Sequence, residues 1–152
     1  VLRLSYRNFL NLDGLLESMR LILINILLVC HISLIAQDEL RKSIYFGGGS
    51  YYVDDYQIEE LYLWLDSIPD LLDKYEIQLI SHTDPVGGRE YNEWLSQMRS
   101  FAVQRVLLLH AIPDYKIFIK DWAYDNPVYT NRSRQGMRLN RRVDVLLFPI
   151  IF

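Results

Sequence analysis

Between Ser81 and Ser100 the chain reads SHTDPVGGREYNEWLSQMRS. This stretch combines a carboxylate in a turn-rich loop, Asp84, with a guanidinium, Arg99, on a segment of helical periodicity. Asn92, Ser96, Arg99 and Val103 fall at i, i+4, i+7 and i+11, beside an apolar stripe of Leu95, Met98, Ala102, Val106 and Leu109. That spacing puts the polar members at the rim of the core, next to the loop that carries Asp84. A guanidinium there offers a flat, two-pronged donor to a carboxylate, while Asp84 accepts an ammonium. Two opposite charges held apart suit a zwitterion, such as the free end of a diamino acid.

Other chemistries have less support in the residues. His82 and Asp84 lack a third metal ligand at a telling spacing, so His82 is read as a structural hydrogen-bonding residue, and no metal or cofactor is expected. His110 stands isolated at a helix end. No nucleophile–base pair and no Gly-x-Ser-x-Gly elbow occurs, so no catalytic residue is assigned and an enzyme is not expected. The competing enzymatic reading is a hydrolase acting through Asp84, Glu90 or Glu93. Gly47-Gly48-Gly49 lacks the Lys and Ser/Thr spacing of a phosphate loop and is read as a plain loop.

The elements that must position these residues alternate between strand and helix patterns. Ser43–Phe46 reads as a short strand. Ile58, Leu61, Leu65, Ile68 and Leu72 recur at helical spacing from Asp54 or Asp55, with Pro69 restarting the helix behind a cap at Asp66 or Ser67. Glu76–Ser81 is a strand, Asp84–Gly88 a turn, and residues 91–109 a second helix. Tyr115–Ala123 alternates as a strand, Asn126-Pro127 is a turn, 131–139 a short polar helix or loop, and Arg142–Phe148 the last strand. The order predicts an α+β fold, a two-layer β-α-β-α-β-(α)-β sandwich with a mixed four-stranded sheet and its helices packed on one face.

At 152 residues, 51% hydrophobic and 23% charged, the chain suits one globular domain. Its net charge of −3 gives no global field for nucleic acid. One cysteine, Cys30, excludes an internal disulfide. Residues 21–36 (LILINILLVCHISLIA) are uncharged, short for a membrane span of about 20 residues, and preceded by Arg20. They fit a signal peptide over 19–36, cut between Ala36 and Gln37. Residues 1–18 then lie upstream of a natural start at Met19, and 37–152 form the mature domain, net acidic and free of cysteine. A retained anchor, a buried N-terminal helix and a lipoprotein modified at Cys30 are the alternatives.

Four groups of residues carry a resemblance: Phe46 with Ser50, then Ser81-His82-Thr83-Asp84, then Asn92 through Leu95, Ser96 and Arg99, then Asn140-Arg141-Arg142-Val143. In this order and spacing the chain resembles the OmpA-like peptidoglycan-binding domain, the family of the OmpA and MotB C-terminal domains, from about Ser43 to Phe148. The resemblance implies that Asp84 and Arg99 grip the diaminopimelate of a peptidoglycan stem peptide. It implies neighbouring contacts from Thr83 and Asn92, a pocket wall from Arg141 and a bordering position for Leu95. It also implies non-covalent tethering of the envelope to the wall from the periplasm, in association with the outer membrane or envelope proteins, or as a scaffold subunit of an envelope machine. Five arginines lie between Arg132 and Arg142; an exported acidic protein has little use for them on nucleic acid. Arg141 is read as facing anionic wall peptide, and Arg132, Arg134, Arg138 and Arg142 as solvated. Ser81 stands where the family usually has Gly, Met137 where it often has Arg after Gly136, and Lys120–Ala123 replace a Gly-containing stretch.

Overall fold

The computed structural model describes residues 14–24, 40–123 and 127–150. The chain divides into two units, residues 1–38 and 39–152. In the first, residues 14–24 are helical. No helix among the described residues is long and apolar enough to cross a membrane. Most of the expected signal segment, Cys30 and the cut before Gln37 lie outside the described residues.

In the second unit, strand β1 (Arg41–Tyr45) leads into helix α1 (Asp55–Asp66) and the single turn α2 (Leu71–Lys74). Strand β2 (Tyr75–His82) and the long helix α3 (Arg89–Leu109) follow, then β3 (Ile117–Ala123), α4 (Arg134–Asn140) and β4 (Arg142–Pro149). The sheet order is β1-β4-β2-β3. β4 pairs antiparallel with β1 and β2, and β2 pairs parallel with β3, so the sheet is mixed and four-stranded as the pattern predicts. A parallel pair needs a crossover, which α3 supplies.

Alternation along the strands separates two faces. Ile44, Ile77, Leu79, Val143, Val145 and Leu147 pack with Leu61 and Leu65 of α1 and Val103, Val106 and Leu107 of α3. Ala102 is half-buried against this core, and Leu95 is buried. The opposite parity of β4 holds Arg142 and Asp144, both buried. Arg142 Nε donates to both Asp144 oxygens at 3.0 Å, and Ser43 Oγ of β1 donates to Oδ1 at 2.6 Å. His82 Nε2 of β2 lies 3.6 Å from Asp144 Oδ2, so polar groups from three strands meet there. Arg142 is therefore a buried ion-pair partner, not the solvated cation expected from the sequence.

Local chemistry explains the boundaries. Asp54 caps α1, its side chain accepting from Gln57 N at 3.0 Å. The restart after Pro69 occurs at Asp70 in the left-handed region, not at Asp66 or Ser67. Two separate helices do not share one phase, so Leu71 is buried and Leu72 is exposed. β1 begins at Arg41 and β2 at Tyr75, while a short 3-10 turn at Asp114–Lys116 delays β3 to Ile117. His110, expected to be isolated, pairs with Asp66 at 2.8 Å and stacks on Tyr62 with ring centroids 4.1 Å apart, tying the ends of α1 and α3.

Candidate functional site

The expected apolar stripe of α3 is rotated from the buried one. Leu109 at its end is exposed and Met98 half-buried, whereas Asn92, Ser96, Arg99, Ser100 and Val103 are all fully buried. The polar series therefore lies inside the protein, not at the rim. Its partners are loop backbones, whose carbonyls need donors that an apolar stripe cannot supply.

Arg99 shows this directly. Its Nε donates to Ser50 O at 2.9 Å, Nη1 to His82 O at 3.2 Å and Nη2 to Gly47 O at 3.1 Å. Its guanidinium carbon lies 5.1 Å from the Phe46 ring centroid. One side chain thus joins the loop after β1 to the end of β2. Burial pulls the guanidinium down from its ordinary value to about 10; Asp84 opposes the fall and Arg141 adds to it. Arg99 stays charged at neutral pH. Of its five N–H groups three are engaged, leaving one on each Nη.

Asp84 begins the turn before α3. Its Oδ1 accepts from Val86 N at 3.2 Å, and Oδ2 accepts from Arg141 Nη1 at 3.0 Å. Arg141 also donates through Nε to Phe46 O at 3.3 Å, and its own carbonyl accepts from Phe46 N at 2.8 Å. Asn92 reaches back from the first turn of α3, donating through Nδ2 to Val86 O at 3.2 Å and Gly88 O at 2.9 Å. Gly87 and Gly88 have φ of 106° and 80°, a region that favours glycine. The Tyr91 ring packs so closely on Gly87 that an added Cβ would come within 2.5 Å of it. Tyr91, Tyr51 and Trp94 form an exposed aromatic edge, with Trp94 6.0 Å from Tyr51 and 5.9 Å from Tyr91 between ring centroids.

Asp84, Asn92, Arg99 and Arg141 are thus linked through the loop after β1, the β2–α3 turn and the junction between α4 and β4, and Thr83 precedes Asp84 in that turn. Thr83 Oγ1 and Asn92 Oδ1 are buried without a protein hydrogen-bond partner. Leu95 is buried on α3. His82 and Asp84 face different partners, Asp144 and Arg141, and no cluster of metal-binding side chains occurs among the described residues. The carbonyls of Gly47, Ser50 and His82 escape a side-chain reading of the sequence. The signal for them was Phe46 with Ser50, whose spacing sets the loop that Arg99 holds.

The sheet order and the polar helix face that closes two loops define an α+β domain with a buried polar site at one edge of its sheet. The OmpA family model matches residues 45–141, well over half of the chain, and the chain belongs to the OmpA family. A periplasmic, envelope-associated location goes with that membership. The peptidoglycan-associated lipoprotein of Pseudomonas aeruginosa is 36% identical over 69 residues, covering 45% of this chain and 41% of its own. The probable lipoprotein YiaD of Escherichia coli is 31% identical over 77 residues, covering 51% and 35%. The chain thus matches less than half the length of these relatives. The crystal structure of the peptidoglycan-associated lipoprotein from Burkholderia pseudomallei superposes with a TM-score of 0.60 at 29% identity, covering 70% of this chain and 90% of that one. The C-terminal domain of Helicobacter pylori MotB shares the fold, with a TM-score of 0.63 at 18% identity over 70% of this chain and 84% of that one.

Proposed function

We propose that this protein binds peptidoglycan without cleaving it, through the zwitterionic end of diaminopimelate, and so tethers an envelope component to the wall. The observation that carries the reading is that one site holds a nearly buried carboxylate, Asp84, paired with Arg141, and a buried guanidinium, Arg99, that keeps two N–H groups uncommitted. Asp84 retains acceptor capacity beyond Val86 N and Arg141, so an ammonium can share it with Arg141. For the ligand carboxylate to take the remaining Nη hydrogens of Arg99, with Thr83 Oγ1 and Asn92 Oδ1 as further hydrogen-bonding groups and Leu95 at the border, the loop segments covering these buried groups must move aside on binding. Two relatives are named as peptidoglycan-associated lipoproteins, which supports the ligand class.

Charged hydrogen bonds of this kind contribute roughly 1.5–3 kcal/mol each. Asp84→Asn keeps the shape and the turn but loses the charge, so binding should weaken about tenfold or more. Co-sedimentation of the protein with purified sacculi tests the proposal, using wild type, Asp84→Asn, and walls with lysine in place of diaminopimelate. Wild-type protein left in the supernatant ends the wall-binding reading. Equal binding to lysine walls removes the diaminopimelate carboxylate from recognition while leaving wall binding intact. Intact muropeptides after long incubation are expected, because Glu90 and Glu93 are exposed and the Asp84 carboxylate is held by Arg141.

A further inference from the structure

A groove of about 840 Å³ opens beside the candidate site, between the end of β1, the start of α1 and helix α4. It shares Phe46, Gly47 and Arg141 with the site, and its far wall carries Arg134 and Arg138. Among the described residues, the only carboxylate lining it is Asp54. That carboxylate is already spent as the cap of α1, accepting from Gln57 N at 3.0 Å and Gln57 Nε2 at 2.6 Å. Gln57 in turn is held by the backbone of Tyr45 through two hydrogen bonds.

Arg134 and Arg138 are exposed and make no ion pair or side-chain hydrogen bond among the described residues. They stand at i and i+4 on one face of a seven-residue helix, where like charges destabilise each other. The helix that carries them is fixed in place. Ser133 caps it through Gly136 N at 3.0 Å, Gly136 packs against the Thr130 carbonyl, and Asn140 bonds Tyr129 and Asn131. Two mutually repelling cations on a fixed support, with no anion of their own, prepare a subsite for an anion from outside.

We infer that Arg134 and Arg138 receive a second carboxylate of the same stem peptide whose diamino acid sits at Asp84 and Arg99. This rests on the wall-binding reading, and the continuity through Arg141 commits the groove to the same ligand. A stem peptide offers that chemistry from two sources, the α-carboxylate of the γ-linked glutamate on one side of the diamino acid and the C-terminal carboxylate on the other. Both are removed by amidation without loss of shape.

The test is isothermal titration of the full chain with soluble diaminopimelate muropeptide in three forms: free acid, glutamate α-amide and C-terminal amide. Each is titrated into wild type, Arg134→Gln/Arg138→Gln and Asp84→Asn. One amide should bind wild type about fivefold or more weakly than the free acid, and that amide identifies the source. The double variant should bind the free acid about as weakly and lose the distinction between acid and amide. Both substitutions lie on exposed side chains, and a circular dichroism melt confirms the fold. If neither amide differs from the free acid in wild type, or if the double variant keeps the distinction, the groove has no such role. If the free acid fails to bind wild type at all, the wall-binding reading falls and this inference with it. Binding abolished by Asp84→Asn with no amide effect overturns the groove alone.

Discussion

Arg99 joins the candidate site to the fold, and its substitution separates two kinds of loss. Removing it leaves three backbone carbonyls without their donor, and each hydrogen bond to a charged group contributes about 1.5–3 kcal/mol before loop hydration compensates. Arg99→Ala should therefore lower unfolding stability by about 2–4 kcal/mol in urea titration, the range of a broken buried network. Arg99→Lys keeps the charge but cannot present donors in three directions from one planar fork, so it should fall between. Asp84→Asn removes the counter-charge of Arg141 and of the buried Arg99, so it should lower stability by about 1–3 kcal/mol in the same titration as well as weaken wall binding. The pH dependence carries a sign as well. Because burial lowers Arg99 to about 10 in the fold, below its value in the unfolded chain, the unfolded state binds more protons above about pH 10, and this residue's contribution to stability rises with pH there. Between about pH 6 and pH 8 both states keep it charged, so the urea-midpoint difference between wild type and Arg99→Lys should be the same at each pH.

At the level of elements, helical and strand periods predict the strand–helix alternation and the mixed sheet, because apolar spacing records which face meets the core. They misplace the buried face of α3, since Asn92 and Arg99 are buried with their donors on loop carbonyls that no side-chain pattern encodes. They also misplace the phase after Pro69, which depends on one backbone conformation at Asp70. Two glycines carry similar hidden constraints. A Cβ on Gly136 would lie 1.9 Å from the Thr130 carbonyl oxygen, so Gly136→Ala must displace α4 or the preceding turn. It should cost about 2–4 kcal/mol by differential scanning calorimetry, as overpacking against backbone does. Gly87→Ala meets both the Tyr91 ring and a positive φ of 106°, so it should disturb the Asp84 turn. Pairing Gly87→Ala with Tyr91→Ala should recover only the steric part, leaving the backbone strain visible as a residual loss of stability.

Across the molecule, the stretches His82-Thr83-Asp84 and Asn140-Arg141-Arg142-Val143 each supply two separate polar clusters. Asp84 and Arg141 pair with each other in the candidate site, while His82 and Arg142, two and one residues away, meet Asp144 on β4. Asp144 is held from β1 by Ser43 and faces β2 through His82, so the buried cluster spans three strands. Asp144→Ala would strand Arg142 as an uncompensated buried cation, a change that costs about 3–5 kcal/mol. Replacing Arg142 and Asp144 together by Met and Leu should restore most of that stability, since the isolated charge and not the lost attraction is what destabilises. Every residue of the hydrophobic core among the described residues, from Leu40 to Leu147, lies within the unit formed by residues 39–152. That unit buries its own sheet face and closes its own ion cluster, so it should fold without the residues before it. A fragment of 39–152 should unfold in one cooperative transition, at a urea midpoint matching the corresponding transition of the full chain, and it should pellet with sacculi to the same extent. A fragment that melts without cooperativity would show that residues before Glu39 complete the core, and the assignment of an autonomous wall-binding unit would have to be given up.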